Sequence, residues 1–545
     1  MRPLEKPGRP QDRKVSVAIF FLGLAVGLAS FFYYYSHHLT VAHYDAKAHL
    51  LVARSIVDSI EPGYGHIGAN WLPLIHLLYL PFVAVESQYR SGFLPSLMSV
   101  FSFALSGWLA FRITHRITGS ISAGVVAACI IIANPNLEYL QSCPLTEPVA
   151  MLLLLLAVDG LIAWRESDHA KLPWLSAIWA ALGALCRYEG WYLIAGILLL
   201  LAVDFWTRYV PRKRAVQSGI LYIIAFGLPA AAHFGYIYFR LGDSFFRRVA
   251  EGNPAPYLTY KRPLLSFLYH LGELCQMSAL APLLLAAAGL WLFFIQRSEW
   301  KRRAPILLLW LPSLINISAL YWGLVYRLRY SVLLLPAVAI FCSVIITSAR
   351  GKRSALLVLS IAVSVLPFLS WILIRTGWSD ALVPGPGTML LPIAALVLFM
   401  LARAKDLYEW ALLGLCILGM QLPLLALENR PILAETLEHG FIEPERHEVL
   451  QYLQRNYDGK RILIDMGKLA PLVYDSGLPV KEFVYSEGEE ASWYKALKNP
   501  EQEVGWLCAQ RGDAVAQQLQ VDPSWAAGYS LALKTDYFSV YRLRR

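Results

Sequence analysis

Residues 172–206 read LPWLSAIWAALGALCRYEGWYLIAGILLLLAVDFW, and the way this run divides decides the topology of the chain. As a single helix it would be about 52 Å long, against a hydrocarbon core of roughly 30 Å. Arg187 and Glu189 would also lie near its middle, where ionisable groups are costly. Two spans joined by a tight hinge at Arg187, Tyr188 and Glu189, with Gly190 next, avoid both problems.

Composition agrees with a membrane chain. The 545 residues are 57% hydrophobic and 16% charged, where a soluble chain carries about 25% charge. The formal charge of +10 does not call for nucleic acid, because the excess falls in short loops that set membrane orientation. The seven cysteines show no CxxC spacing, and no disulfide framework is expected.

Apolar runs predict about thirteen transmembrane helices, near 15–35, 92–112, 119–134, 148–164, 172–186, 190–206, 216–239, 279–296, 304–324, 330–348, 354–374, 388–402 and 408–427. With the N-terminus cytoplasmic, alternate loops collect the basic residues, among them Arg112, Arg116, Arg165, Arg212, Lys213, Arg214, Arg350 and Lys352. This parity requires the hinge at 187–189. It also requires NWLPLIHLLYLPFVAVE (70–86), interrupted by Pro73 and Pro81, to be an interfacial or re-entrant helix in a first outer loop of about 36–91. The fold expected is a polytopic α-helical membrane domain over 1–427. A small extracytoplasmic α/β domain follows over 428–545, with strands in GKRILIDMG (459–467), EVGWLCAQRGD (503–513) and YFSVYRL (537–543).

Ionisable groups on the outer side are few and specific. Asp45 and His49 are four residues apart and share a helix face. Lys47 lies between them, and His66 and Trp71 follow in the same loop. Glu147, in SCPLTEPVA, opens a span, with Thr146 as its expected cap. Arg187, Tyr188 and Glu189 form the hinge. Arg327, Arg329 and Tyr330, in YWGLVYRLRY, put two arginines in a short outer loop against the charge rule, which points to an anion there. Arg247 and Arg248 add cations in a longer outer loop. Guanidinium groups suit a phosphate and a neighbouring carboxylate suits a general base, so the set predicts transfer from a lipid-linked phosphate, with a carboxylate as base and the other groups binding substrate.

Two matches fail on context. GYGHIG (63–68) fits GxGxxG but follows no strand, and NIS (316–318) lies within a predicted span. His43, His49 and His66 match no standard metal spacing, so a divalent ion is possible but not favoured.

The order of these elements resembles the GT-C superfamily of polyprenyl-phosphate-sugar-dependent glycosyltransferases. A first span precedes HYDAKAHL and WLPL; LTEP and CRYEGW then come before a soluble tail. The nearer branch is the protein O-mannosyltransferase and aminoarabinose transferase group, similar to family 39. No single motif carries the resemblance; order and placement do. It implies inverting transfer at the outer face without a bound metal, from a polyprenyl-phosphate-linked sugar to an acceptor glycan, lipid or protein hydroxyl. It also implies that Asp45 is the base. Many members carry two adjacent acids there. Here Ala46 follows, leaving Glu147 or Glu189 as a possible second carboxylate. The location expected is the plasma (inner) membrane, multi-pass. A flippase or transporter is expected to show deep charges and paired halves, and a glycan polymerase or ligase a large late loop; both remain as alternatives.

Overall fold

The computed structural model of the chain describes residues 10–167, 169–241, 259–278, 280–295, 303–324, 326–348, 432–433, 436, 443–488 and 490–544. The last three predicted spans, between 354 and 427, lie outside these residues, so the expected total of thirteen is untested.

α1 (Pro10–Ser36) leads to α2 (Tyr44–Ser55), α3 (Pro73–Val83) and α4 (Glu86–Ser91). At 11 residues, α3 is about 16 Å long, too short to cross a bilayer. Gly92, at φ 62°, turns the chain into α5 (Phe93–Thr118) with a backbone that suits glycine. α6 (Ile121–Ile132) is capped by Ser120, whose side chain accepts from the Ala123 amide. α7 (Pro135–Leu140) and α8 (Glu147–Arg165) follow, and then the hairpin of α9 (Trp174–Cys186) and α10 (Glu189–Thr207). The 172–206 run is thus two helices broken at the Arg-Tyr-Glu hinge. The chain continues through α11 (Arg212–Leu241), α12 (Pro263–Ser278), α13 (Leu280–Ile295), α14 (Pro312–Trp322) and α15 (Leu335–Ser348).

Among the described residues, six helices are long and apolar enough to cross a membrane, or seven if a bent pair formed by α12 and most of α13 counts as one. α5 packs between α1 and both α6 and α8; α9 packs against α8, α10 and α11. Their lipid-side residues stay exposed, as at Leu199, Leu228 and Trp291, which is the pattern of a multi-pass membrane protein.

α12 departs from the sequence reading, which left 263–278 inside an outer loop. Its apolar run is interrupted by polar residues, and these face inward: Ser266, His270 and Glu273 are buried.

The hinge closes tightly. A Cβ on Gly190 would stand 2.5 Å from the Ala184 Cα and 2.6 Å from the Gly183 carbonyl carbon. Gly190→Ala is therefore expected to destabilise the protein by about 1–3 kcal/mol through overpacking. Gly235→Ala, where nothing lies within 4 Å, should leave the thermal midpoint in detergent unmoved. Equal midpoints for the two variants would count against a close-packed hinge.

The C-terminal domain begins with α16 (Glu443–Asn456), β1 (Ile462–Ile464) and α17 (Met466–Asp475), and adds β2 (Phe483–Val484), β3 (Trp506–Gln510), β4 (Tyr529–Lys534) and β5 (Phe538–Leu543). The sheet order is β2-β1-β3-β5-β4. β1 runs parallel to β2 and β3, whereas β5 is antiparallel to β3 and β4. All three β1 residues are buried, as expected of a central strand covered on both faces.

This domain sits on the first loop. Tyr44 donates to the Gly467 carbonyl at 2.8 Å, and Tyr474 donates to those of Tyr89 at 2.8 Å and Arg90 at 2.7 Å. Arg90 returns a bond to the Leu478 carbonyl at 2.9 Å.

Candidate active site

α2 begins where the His43 ring Nδ1 accepts from the Asp45 amide at 3.0 Å, a side-chain cap that leaves Asp45 in the first turn. The other end of α2 is held by Arg54, paired with Asp58 at 3.0 Å and with Glu86 of α4 at 2.8 Å. The helix that carries Asp45 is thus held at both ends.

It faces a run of alternating charges. Arg329 bonds Asp45 through Nη2 and Glu147 through Nη1. Glu147 also accepts from Arg187 Nη1 at 2.8 Å, and Arg187 pairs with Glu189 at 2.7 Å. The Tyr330 ring lies against both cations, 4.5 Å from the Arg187 guanidinium carbon and 5.0 Å from that of Arg329. Glu147 has 0% exposed side chain and Arg329 2%, whereas Asp45 keeps 20%. Burying these charges is costly unless each is paired, and the ladder pairs them in sequence. Its accessible end is Asp45.

Burial alone would push the Asp45 carboxyl up. The guanidinium of Arg329, helped by His43, His49 and Arg327, outweighs that and holds it well below the usual carboxylate range. Arg327 is half-buried, starts the turn Leu328–Leu334 with extended backbone, and has no ion pair among the described residues. Its charge adds to that of Arg329 at Asp45.

The other expected residues are spread around this cluster. His49 is one turn along α2 from Asp45 and packs edge-on to Trp71 at 4.5 Å. Tyr188 donates to the Asn70 carbonyl at 3.3 Å at the rim. Lys47 turns away to Asp475 of the C-terminal domain at 2.6 Å. His66 also lies at that seam, within hydrogen-bond reach of the Ser59 hydroxyl at 2.9 Å, the Glu487 carbonyl at 3.0 Å and the Tyr485 hydroxyl at 3.1 Å. Arg247 and Arg248 lie outside the described residues. Among the described residues, no three His, Cys, Asp or Glu side chains converge as a metal site would require. His43, His49 and His66 are each engaged separately.

Thr146 differs from expectation. It does not cap α8, because its own backbone is already helical; its hydroxyl instead accepts from Arg187 Nη1 at 2.7 Å. The sequence reading also passed over His76, which sits in an apolar run with no charged side chain nearby in sequence to betray it.

His66 gives the seam a pH dependence. Burial pushes its pKa below the ordinary value, only partly offset by its bonds to the Glu61 and Glu487 carbonyls. The unfolded chain therefore takes a proton below about pH 6.5 that the folded chain refuses. Stability should hold above that pH and fall as the pH drops from there toward the folded value. A thermal-midpoint series from pH 8 to 5 checks it. His66→Gln should flatten the acid side, and an unchanged slope would exclude His66 as the cause.

No protein-family model matches the chain, and no curated protein matches it. Solved structures do. ArnT from Cupriavidus metallidurans bound to undecaprenyl phosphate superposes with a TM-score of 0.57 and 13% identity, covering 96% of this chain and 97% of that one. Its apo state gives a TM-score of 0.59 over the same shares. The apo oligosaccharyltransferase of Archaeoglobus fulgidus reaches only 0.47 at 12% identity, over 91% of this chain and 69% of its own. The chain therefore has the fold of ArnT, over almost its whole length.

Proposed function

We propose that this protein is a membrane glycosyltransferase that moves a sugar from a polyprenyl-phosphate donor to an acceptor hydroxyl. The supporting observation is the position of Arg329, bonded at once to buried Glu147 and to the more accessible Asp45, with a further cation acting on Asp45 in Arg327, which has no ion pair among the described residues. The shared fold with ArnT, one of whose structures holds undecaprenyl phosphate, favours the same class of donor.

In the resting site Asp45 occupies Arg329. A donor phosphate brings its own negative charge and competes for that guanidinium, with Arg327 as the second cation; both present fork geometry to phosphate oxygens. Displaced from Arg329, Asp45 becomes free to act as base. It takes the proton of the acceptor hydroxyl while that oxygen attacks the anomeric carbon on the face opposite the phosphate. The bond from the anomeric carbon to the phosphate oxygen breaks, and its electron pair leaves with the lipid phosphate, so the configuration inverts. Glu147 stays with Arg187 and holds the second side of Arg329. No metal is routed through this step.

The same proposal places the N-terminus in the cytoplasm, the site and the C-terminal domain on the extracytoplasmic side, and the chain in the plasma (inner) membrane. The parity of basic loops supports that orientation. The purified full chain, incubated with a panel of radiolabelled polyprenyl-phosphate sugars, is expected to release lipid phosphate from at least one donor by transfer or slow hydrolysis. Turnover of none, with a flippase assay positive instead, would overturn the reading.

A further inference from the structure

Two buried histidines take no part in the charge ladder: His49, one turn along α2 from Asp45, and His76, which faces His49 from α3. His76 on α3 is 0% exposed and His49 on α2 is 3% exposed. His76 Nδ1 lies 3.0 Å from the Leu72 carbonyl. A carbonyl only accepts, so that nitrogen carries a hydrogen, and Nε2 of the neutral ring must be an acceptor. Facing it at 3.1 Å is His49 Nδ1, which must therefore donate. The last nitrogen, His49 Nε2, is left with its lone pair and makes no hydrogen bond among the described residues. Trp71 stands edge-on to both rings, at 4.5 and 5.6 Å, and fixes their planes.

We propose that His49, its tautomer set by the Leu72 carbonyl through His76, is the group that receives the transferred proton from Asp45. This rests on the glycosyl-transfer reading and adds a destination for the proton. Asp45 lies four residues earlier on the same helical face. It is too acidic beside Arg329 to keep a proton once the leaving phosphate departs. In the first step the hydroxyl proton passes to an Asp45 oxygen. In the second the Asp45 O–H bond breaks and a new N–H bond forms at His49 Nε2, restoring the carboxylate and leaving an imidazolium. That cation loses its Nε2 proton to water before the next turnover. The charged and titratable groups around His49 are Asp45 on its own helix, His76 on α3, Arg187 from the hinge and Arg329 from the turn before α15; His233 of α11 lies behind His76. Burial and these arginines keep His49 unprotonated at neutral pH, and burial holds His76 near pKa 4, so both start as acceptors.

The test uses the purified full chain with whichever polyprenyl-phosphate sugar it turns over. His49→Asn keeps a hydrogen-bond donor toward His76 but has no Nε2. It is expected to lower kcat about 10²-fold, leave donor Kd within twofold, and abolish the acid limb of the kcat profile that His49 sets. His76→Gln, whose amide oxygen accepts the same bond, is expected to lose at least tenfold less activity than His76→Leu. His49→Asn with kcat within threefold of wild type and an unaltered pH profile overturns the proposal. So does equal loss in the two His76 variants. If the wild-type protein consumes no donor, the transfer reading falls by itself. The tautomer order is then read by ¹⁵N-histidine NMR: hydrogen on Nδ1 of both rings supports the relay geometry, and hydrogen on His49 Nε2 refutes it.

Discussion

Asp45→Asn is expected to lower kcat by about 10²–10⁴-fold, the range of general-base assistance, while donor affinity holds or improves. The second half of this expectation is the sharper. In the resting protein the Asp45 carboxylate sits on Arg329, so it competes with any incoming phosphate. The amide of asparagine carries no charge and competes poorly, so KM for donor should stay level or fall as kcat collapses. The variant should fold, because Arg329 keeps its bond to Glu147 and the His43 ring still accepts from the residue-45 amide. A variant that turns over at the wild-type rate removes Asp45 from the proton path. One that loses donor binding in step with kcat makes Asp45 a donor contact instead.

Arg329→Met is expected to have the largest effect on stability. It leaves Glu147 buried with Arg187 alone and Asp45 with no direct guanidinium partner. Removing one member of a buried ion network costs about 3–5 kcal/mol, since the charges left behind remain desolvated. The loss should appear as a lower thermal midpoint in detergent and as weakened binding of polyprenyl phosphate. Arg329→Lys keeps the charge but cannot reach both carboxylates with one planar fork, and should fall between wild type and the methionine variant. Arg329→Met with a wild-type midpoint would mean that the ladder does not hold this end of the bundle together.

Several parts of this site could be read from the chain because they violated a local rule. The hinge at 187–189 showed itself as charge inside an apolar run too long for one span. Arg327 and Arg329 showed themselves by opposing the loop-charge bias. Glu147 was visible as an acid at the start of a span. Their pairing was not visible: Arg329 reaches Glu147 across 182 positions and Asp45 across 284, and no local pattern encodes such separations. Lys47 looked like a site cation, but its partner Asp475 lies 428 residues away in another domain. His76 was missed, and Thr146 was read only as a cap, for the opposite reason, since each fits an apolar helix or a helix start and acquires its observed role only when a second element arrives. α12 was missed because its inward-facing polar residues lower the mean hydropathy that marks a span. Three of the five C-terminal strands were legible as short apolar runs between charged stretches, whereas β2, β4 and the mixed parallel and antiparallel order of the sheet were not.

The most direct test of the account is to determine the structure of the full chain in lipid with a polyprenyl phosphate bound. The phosphate is expected against the Arg327 and Arg329 guanidinium groups, with the Asp45 carboxylate displaced from Arg329 and open to the space an acceptor would fill. A phosphate bound elsewhere, with the Asp45–Arg329 pair intact, would contradict it.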